Sequence, residues 1–152
     1  GYPQFLPSSI RNYAVDFDGN GRIDFDSDPI DAIGSVANYL AAHGWVAGDP
    51  VAVRVHLPAS VDAAGLIAAG IYPTIEANTI NALGLVPLGS DLHPTKATLV
   101  DLVTPGERTE YWLGYQNFYA ITRYNRSSFY AMSVYQLAQA LRGGYNAPTA
   151  ER

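Results

Sequence analysis

Cysteine is absent from this 152-residue chain. That excludes a disulfide framework and any thiolate metal site. Positive charge is also scarce: nine Lys and Arg stand against 14 Asp and Glu, for a formal net charge of -5. With no run of basic residues to offset it, a nucleic-acid partner is not expected. No apolar run is long enough to span a bilayer, and no signal-peptide pattern is visible. Glutamate is restricted to Glu76, Glu107, Glu110 and Glu151. Glu107 and Glu110 flank a predicted hairpin, Glu76 sits in a polar loop, and Glu151 lies in the tail. None has the apolar surroundings that would raise its pKa for general-acid work. His43, His56 and His93 fall in separate elements without ligand spacing, and no Ser-His-Asp set suggests itself. The residues alone therefore supply no obvious catalytic acid. The chain opens abruptly at Gly1 in a Pro-containing apolar stretch, as a piece of a longer protein would.

What the sequence does contain is an acidic loop, Asp16-Phe17-Asp18-Gly19-Asn20-Gly21-Arg22-Ile23-Asp24. Side-chain oxygens stand at positions 1, 3, 5 and 9. Gly21 sits at position 6, where the loop must turn sharply, and Ile23 at position 8 can pin it to a core. This is the front half of an EF-hand calcium loop. Asp16, Asp18 and Asn20 offer three hard oxygens, the Arg22 carbonyl a fourth, and Asp24 one through water. Position 12 should be a bidentate Glu but is Ser27, whose hydroxyl cannot replace it. The closing ligand must then be Asp26, Asp28 or Asp31. Asp28-Pro29 reads as N-cap and first residue of a helix, placing Asp31 in its first turn. Asp31 is favoured, because from there its carboxylate can point back over the loop.

Hydrophobic residues make up 48% of the chain, enough for one domain with a real core. In the opening stretch, Pro7-Ser8-Ser9 offers an N-cap to a short helix. Residues 29–42 read as a helix with Ile30, Ile33, Val36, Ala37, Leu40 and Ala41 on one apolar face, ended by His43-Gly44. Val51–Leu57 alternates as a strand does. Val61–Ala69 is a weak helix, and Asn78 or Thr79 caps another at Ile80–Leu83. Ala97–Val103 and Glu110–Tyr115 form a hairpin across Pro105-Gly106. Asn117–Tyr124 is helical. A last helix, capped by Ser127 or Ser128, carries a stripe of Tyr130, Val134, Leu137 and Leu141, and Gly143-Gly144 ends it. The expected division is a core segment 1–49, a small α+β lobe 50–115, core helices 116–142 and a loose tail 143–152.

Aromatics crowd residues 111–135: Tyr111, Trp112, Tyr115, Phe118, Tyr119, Tyr124, Phe129, Tyr130 and Tyr135. Tyrosine joins a flat apolar face to a hydroxyl. Sugar rings have apolar C–H faces and hydroxyl rims, so such a cluster suits a glycan as well as it suits a core. Asn125 adds two donors and an acceptor, apt for an N-acetyl group.

Several stretches are familiar. They are Gly1-Tyr2-Pro3-Gln4-Phe5-Leu6-Pro7-Ser8-Ser9, Tyr13-Ala14-Val15-Asp16-Phe17-Asp18-Gly19-Asn20-Gly21, and Asp31–Leu40 with Ala42-His43-Gly44-Trp45. Tyr111-Trp112-Leu113-Gly114, Asn117-Phe118-Tyr119, Ile121–Ser127 and Tyr130-Ala131-Met132 follow in order. Over residues 1–142 the chain resembles the bacterial lytic murein transglycosylase B family, most weakly between 56 and 96. The resemblance implies an α+β fold: the C-terminal part of a lysozyme-like helical core, with an EF-hand-like calcium loop and a small inserted antiparallel β lobe. It implies cleavage of the MurNAc–GlcNAc β-1,4 bond of peptidoglycan, leaving a 1,6-anhydro end. One Glu serves as acid and then as base; in the family it lies upstream of the motif at residues 1–5, so the chain alone is expected to be inactive. By position, Gln4, Tyr39, Tyr124, Asn125 and Tyr130 would line the glycan cleft. Asp16, Asp18, Asn20, the Arg22 carbonyl and Asp31 would hold a structural Ca2+. Family members work in the periplasm, and any lipid anchor would lie upstream. The competing expectation is a calcium-stabilised, non-catalytic glycan-binding or docking module.

Overall fold

The computed structural model describes residues 1–145. The remainder of the tail expected at 143–152 lies outside them. The chain divides into two compact units, 1–47 and from Gly48 onward. No helix among the described residues is long and apolar enough to cross a membrane.

In the first unit a short helix α1 (Pro7–Tyr13) precedes the acidic loop, and α2 (Pro29–Ala42) follows it. Pro7 enters α1 at its first position behind an extended Leu6, and no side chain caps it. Ser8 and Ser9 are therefore in the helix and do not cap it. The proline ring is preset for that position, where its missing N–H costs nothing. Asp28 caps α2 as expected, its Oδ1 accepting from Ile30 N at 2.8 Å. Gly44 leaves the helix at φ 87°.

The buried face of α2 differs from the apolar stripe read from periodicity. Asp31, Ala32, Gly34, Ser35 and Tyr39 are buried, while Ile30 is 43% and Ile33 66% exposed. The loop before the helix docks on α2 and needs donors, acceptors and close approach, which small and polar residues supply and isoleucines do not.

Among its described residues the second unit is a four-stranded antiparallel sheet with four helices. The strands β1 (Ala52–His56), β2 (Val86–Pro87), β3 (Thr98–Leu102) and β4 (Glu110–Gly114) run in the order β2-β1-β4-β3. The hairpin expected around Pro105-Gly106 is β3–β4, with Val100 opposite Trp112. β1 pairs on the other side of β4, with Arg54 opposite Trp112. The alternation in β1 places Val53 and Val55 inside, where they meet Leu99 and Leu113 together with Ile75, Ile80 and Leu85. α3 (Ala63–Ala68) is capped by Asp62, whose Oδ1 accepts from Gly65 N at 3.0 Å. α4 (Ala77–Ala82) begins behind Glu76 with no side-chain cap, two or three residues earlier than Asn78 or Thr79 would have set it.

α5 (Gln116–Tyr124) and α6 (Ser128–Tyr145) belong to this same unit. Phe118 is fully buried on α5, and Gly114 makes room for it: a Cβ there would lie 2.6 Å from Phe118 Cδ1. Asn117, also buried, ties α5 to the strand entry through Nδ2 to Asp49 O at 2.8 Å. Ser127 caps α6, its Oγ accepting from Tyr130 N at 3.2 Å. The helix continues through Gly143-Gly144 to Tyr145. It packs through Ala131 and Met132; Val134, Leu137 and Leu141 face outward. Periodicity picks out the bulkiest stripe, but the small Ala131 permits the closer approach. Replacing Phe118 by Ala should cost about 3–5 kcal/mol, because neither the sheet nor α5 can collapse into the void. Urea unfolding followed by tryptophan fluorescence would read this as a lowered midpoint at unchanged slope.

Candidate functional site

The acidic loop, in the first unit, folds by bonding to its own backbone. Asp16 Oδ1 accepts from Gly19 N at 2.8 Å and Asn20 N at 3.1 Å, and its Oδ2 from Gly21 N at 2.8 Å. Asp18 Oδ1 accepts from Asn20 N at 3.0 Å, and Asn20 Oδ1 from Arg22 N at 2.9 Å. Gly19 and Gly21 both take positive φ, 74° and 86°, a region nearly free of strain only for glycine.

Asp31 closes the loop from α2. It is 1% exposed. Its Oδ1 accepts from Phe17 N at 2.8 Å and its Oδ2 from Asp24 N at 2.9 Å. These donors, Asp24 first, hold its carboxyl below the ordinary carboxylate range. Oxygens of Asp16, Asp18 and Asp31 lie within 4.8 Å of one another. Among the described residues, no ion pair engages any of the three. Three carboxylates, one of them buried, repel one another unless a cation lies between them. Hard oxygens in this number suit calcium better than a transition metal, so the donor set fits the ion.

Asp24 is placed differently from the water-bridged ligand that the loop pattern suggests. Its Oδ1 accepts from Asp26 N and Ser27 N, and the Ser27 hydroxyl donates to its Oδ2. The hydroxyl above all, then the two amides, brings its pKa from 3.8 down to about 2. A carboxylate lowered in the fold lends stability above its ordinary pKa and loses it as pH falls toward the folded value. Without divalent ions, the melting temperature should therefore drop between pH 3.8 and about 2, as a series of thermal scans would record. Asp24→Asn should flatten that drop.

The sequence reading missed what holds the loop to α2. Ser35 Oγ accepts from Val15 N at 2.9 Å, and Asn38 Nδ2 donates to Tyr13 O at 3.0 Å. The Phe17 ring lies directly on Gly34. The signal was present in Asp31, Gly34, Ser35 and Asn38, small or polar residues at three- and four-residue spacing.

Of the five residues assigned to a glycan cleft, Gln4 and Tyr39 are in this unit. Gln4 takes φ 51°, alone among described non-glycine residues, and its Nε2 donates to Gly1 O at 2.9 Å. Such backbone strain gathers at functional sites. Tyr39 is buried, stacked on His43 at 4.0 Å and edge-on to Tyr13 at 4.9 Å. Tyr124, Asn125 and Tyr130 are in the second unit. Tyr124 and Tyr130 are half-buried with their rings parallel, 9° apart in plane and 6.5 Å between centroids. Asn125 ends α5 in an extended conformation with its side chain exposed. The aromatic cluster thus splits. Tyr115 and Phe118 are core, whereas Tyr124 and Tyr130 keep partly open faces.

Residues 1–139 match the family described as Transglycosylase SLT domain. The chain belongs to this family. The membrane-bound lytic murein transglycosylase B of Escherichia coli K12 is 49% identical to this SLT domain over 141 residues. The match takes in 93% of the chain but 37% of that relative. The soluble lytic transglycosylase SltB1 of Pseudomonas aeruginosa superposes with a TM-score of 0.82 at 46% identity, over 95% of this chain and 47% of that one. Escherichia coli Slt35, solved in complex with calcium, gives 0.75 at 45% identity, over 93% and 43%. Pseudomonas aeruginosa SltB3, in complex with NAG-anhNAM-pentapeptide, gives 0.76 at 36% identity, over 98% and 40%. The SLT domain here thus spans less than half the length of these relatives. Its α+β architecture of helices and a small antiparallel sheet matches theirs.

Proposed function

We propose that this SLT domain is the C-terminal part of a peptidoglycan lytic transglycosylase that cleaves the MurNAc–GlcNAc β-1,4 bond and leaves 1,6-anhydro-MurNAc ends. What carries this is the 49% identity to a murein transglycosylase over nearly the whole chain. The SltB3 complex with an anhydro-muropeptide supports the choice of product. The general acid is a Glu upstream of Gly1. It protonates the leaving glycosidic oxygen as the C1–O bond breaks. It then takes the proton of the muramoyl O6 hydroxyl as that oxygen bonds to C1 of the same sugar. Because attacker and target share one ring, the step needs no water and gains the advantage of an intramolecular reaction.

The chain's own residues bind and orient. Tyr124 and Tyr130 offer flat faces to sugar rings, and the exposed Asn125 amide can meet an acetamido group. Gln4 is held by its bond to Gly1 O and keeps its amide oxygen to accept from a sugar hydroxyl. Tyr39, clamped between rings, shapes the cleft wall. Asp16, Asp18, Asn20, the Arg22 carbonyl and Asp31 hold one structural Ca2+. When bound, the ion neutralises the converging carboxylates and stiffens the loop against α2. The segments 1–49 and 116–142 serve the catalytic core, and 50–115 is an accessory lobe. The place of work is the periplasm, with any lipid anchor upstream.

The test is a chimera joining this chain to the preceding part of the Escherichia coli relative. Purified murein sacculi should lose turbidity with the chimera and not with the chain alone. Tyr130→Ala in the chimera should slow clearing by roughly 5- to 150-fold, the rate equivalent of losing a contact worth about 1–3 kcal/mol. A folded chimera that leaves sacculi intact would reject the enzymatic assignment in favour of a calcium-stabilised glycan-binding or docking module.

A further inference from the structure

A cavity of about 310 Å³ opens beside β4 in the second unit, and Tyr124, Asn125 and Tyr130 are not among its lining residues. Its walls include Arg54, Ser90, Trp112, Tyr135, Gln136 and Gln139. Its size is at the lower end of ligand pockets, which run from about 300 to 1,000 Å³, and suits one ring rather than an extended chain.

Most polar groups of this wall are already committed. Arg54 pairs with Glu110 at 2.9 Å, so the wall's positive charge is neutralised. Trp112 Nε1 donates to Glu110 Oε2 at 3.1 Å, fixing the indole. Tyr135 OH donates to Ala52 O at 3.2 Å, and Gln139 Nε2 donates to Tyr135 OH at 3.2 Å. What is left is a held indole surface, the Gln136 amide, the Ser90 hydroxyl and the Gln139 carbonyl. Among the described residues, neither Gln136 nor Ser90 has a side-chain hydrogen bond.

This set selects a ligand chemistry. A carboxylate or phosphate would find the local cation already taken. A purely apolar group would cover the exposed Gln136 amide, Ser90 hydroxyl and Gln139 carbonyl without bonding to any of them. A neutral sugar satisfies both, laying its C–H face on the indole and its hydroxyl or acetamido groups against amide and hydroxyl partners. We propose that this pocket is a second saccharide site, taking one N-acetylhexosamine ring of a glycan strand outside the cleft. The identity of the sugar rests on the proposed function; the neutral, ring-sized chemistry does not.

Titrating the full chain with N-acetylglucosamine tetramer, followed by 1H–15N correlation spectra, tests this. The Trp112 indole signal and the Gln136 and Gln139 side-chain amides should shift together and saturate. Ser90→Ala with Gln136→Ala, two changes that leave the core untouched, should weaken that shift about tenfold, as the loss of two neutral hydrogen bonds predicts. Tyr124→Ala with Tyr130→Ala should leave it unchanged. The Trp112 response thus stands or falls independently of the sacculus assay. No Trp112 shift, or an equal one with a β-1,4 glucose tetramer, would overturn the proposal.

Discussion

Chelating divalent ions is expected to lower the melting temperature of this chain by roughly 5–10 °C. A ligand at a hundred times its dissociation constant stabilises the state that binds it by about 2.7 kcal/mol, and at this chain length about 2–4 °C accompanies each kcal/mol. The size of the effect follows from what the ion replaces. Oxygens of Asp16, Asp18 and Asp31 gather within 4.8 Å, and Asp31 is cut off from solvent. Without a cation, their mutual repulsion acts on the same loop that ties residues 13–24 to α2. Scanning calorimetry with calcium and with chelator measures the difference directly. Asp31→Asn keeps the shape of the side chain but removes its charge, and should erase most of the calcium-dependent part. An unchanged melting temperature on chelation would mean that the loop stands on its Asx bonds alone.

The second large effect is expected at Gly34. On helix propensity alone, Gly34→Ala should stabilise α2 by about 1 kcal/mol. The added Cβ, however, would overlap the Phe17 ring. Moving that ring means moving the backbone N–H that Asp31 Oδ1 accepts. Overpacking of this kind costs about 1–3 kcal/mol, so the packing term outweighs the propensity term. Gly34→Ala should thus lower stability and weaken calcium binding while far-ultraviolet circular dichroism keeps its helical shape. Gly34→Val should do both more strongly. A variant stabilised by about 1 kcal/mol, the bare propensity gain, would show that Phe17 does not rest on α2.

The difference between these residues explains what could be read in advance. The loop was legible because its chemistry is local: side-chain oxygens and glycines follow one another at fixed spacing, although Ile23, expected to plug the loop into a core, is 49% exposed. Asp31 was reachable from the same logic, since Asp28-Pro29 announces the helix start. The strands β1, β3 and β4 were legible from alternation and from Pro105-Gly106 between the last two. The buried face of α2 was not, because its burial comes from a docked loop rather than from apolar residues. Nor was β2: two residues long and containing Pro87, it carries no alternation. The α6 stripe misled for the opposite reason. Val134, Leu137 and Leu141 have the spacing of a core face, yet Ala131 and Met132 make the contact. Tyr124 and Tyr130 were singled out by the family resemblance alone, and the parallel setting of their rings is a tertiary fact that spacing could not supply.

The identity of the cleaved end is the most direct test of what this SLT domain is built to serve. Sacculi digested by the chimera with the Escherichia coli relative should be analysed by mass spectrometry without prior reduction. Muropeptides ending in 1,6-anhydro-MurNAc, one water lighter than hydrolysis products and refractory to borohydride, are the predicted result. Products ending in ordinary reducing MurNAc would contradict it, because they would mean that water, and not the sugar's own hydroxyl, attacks C1.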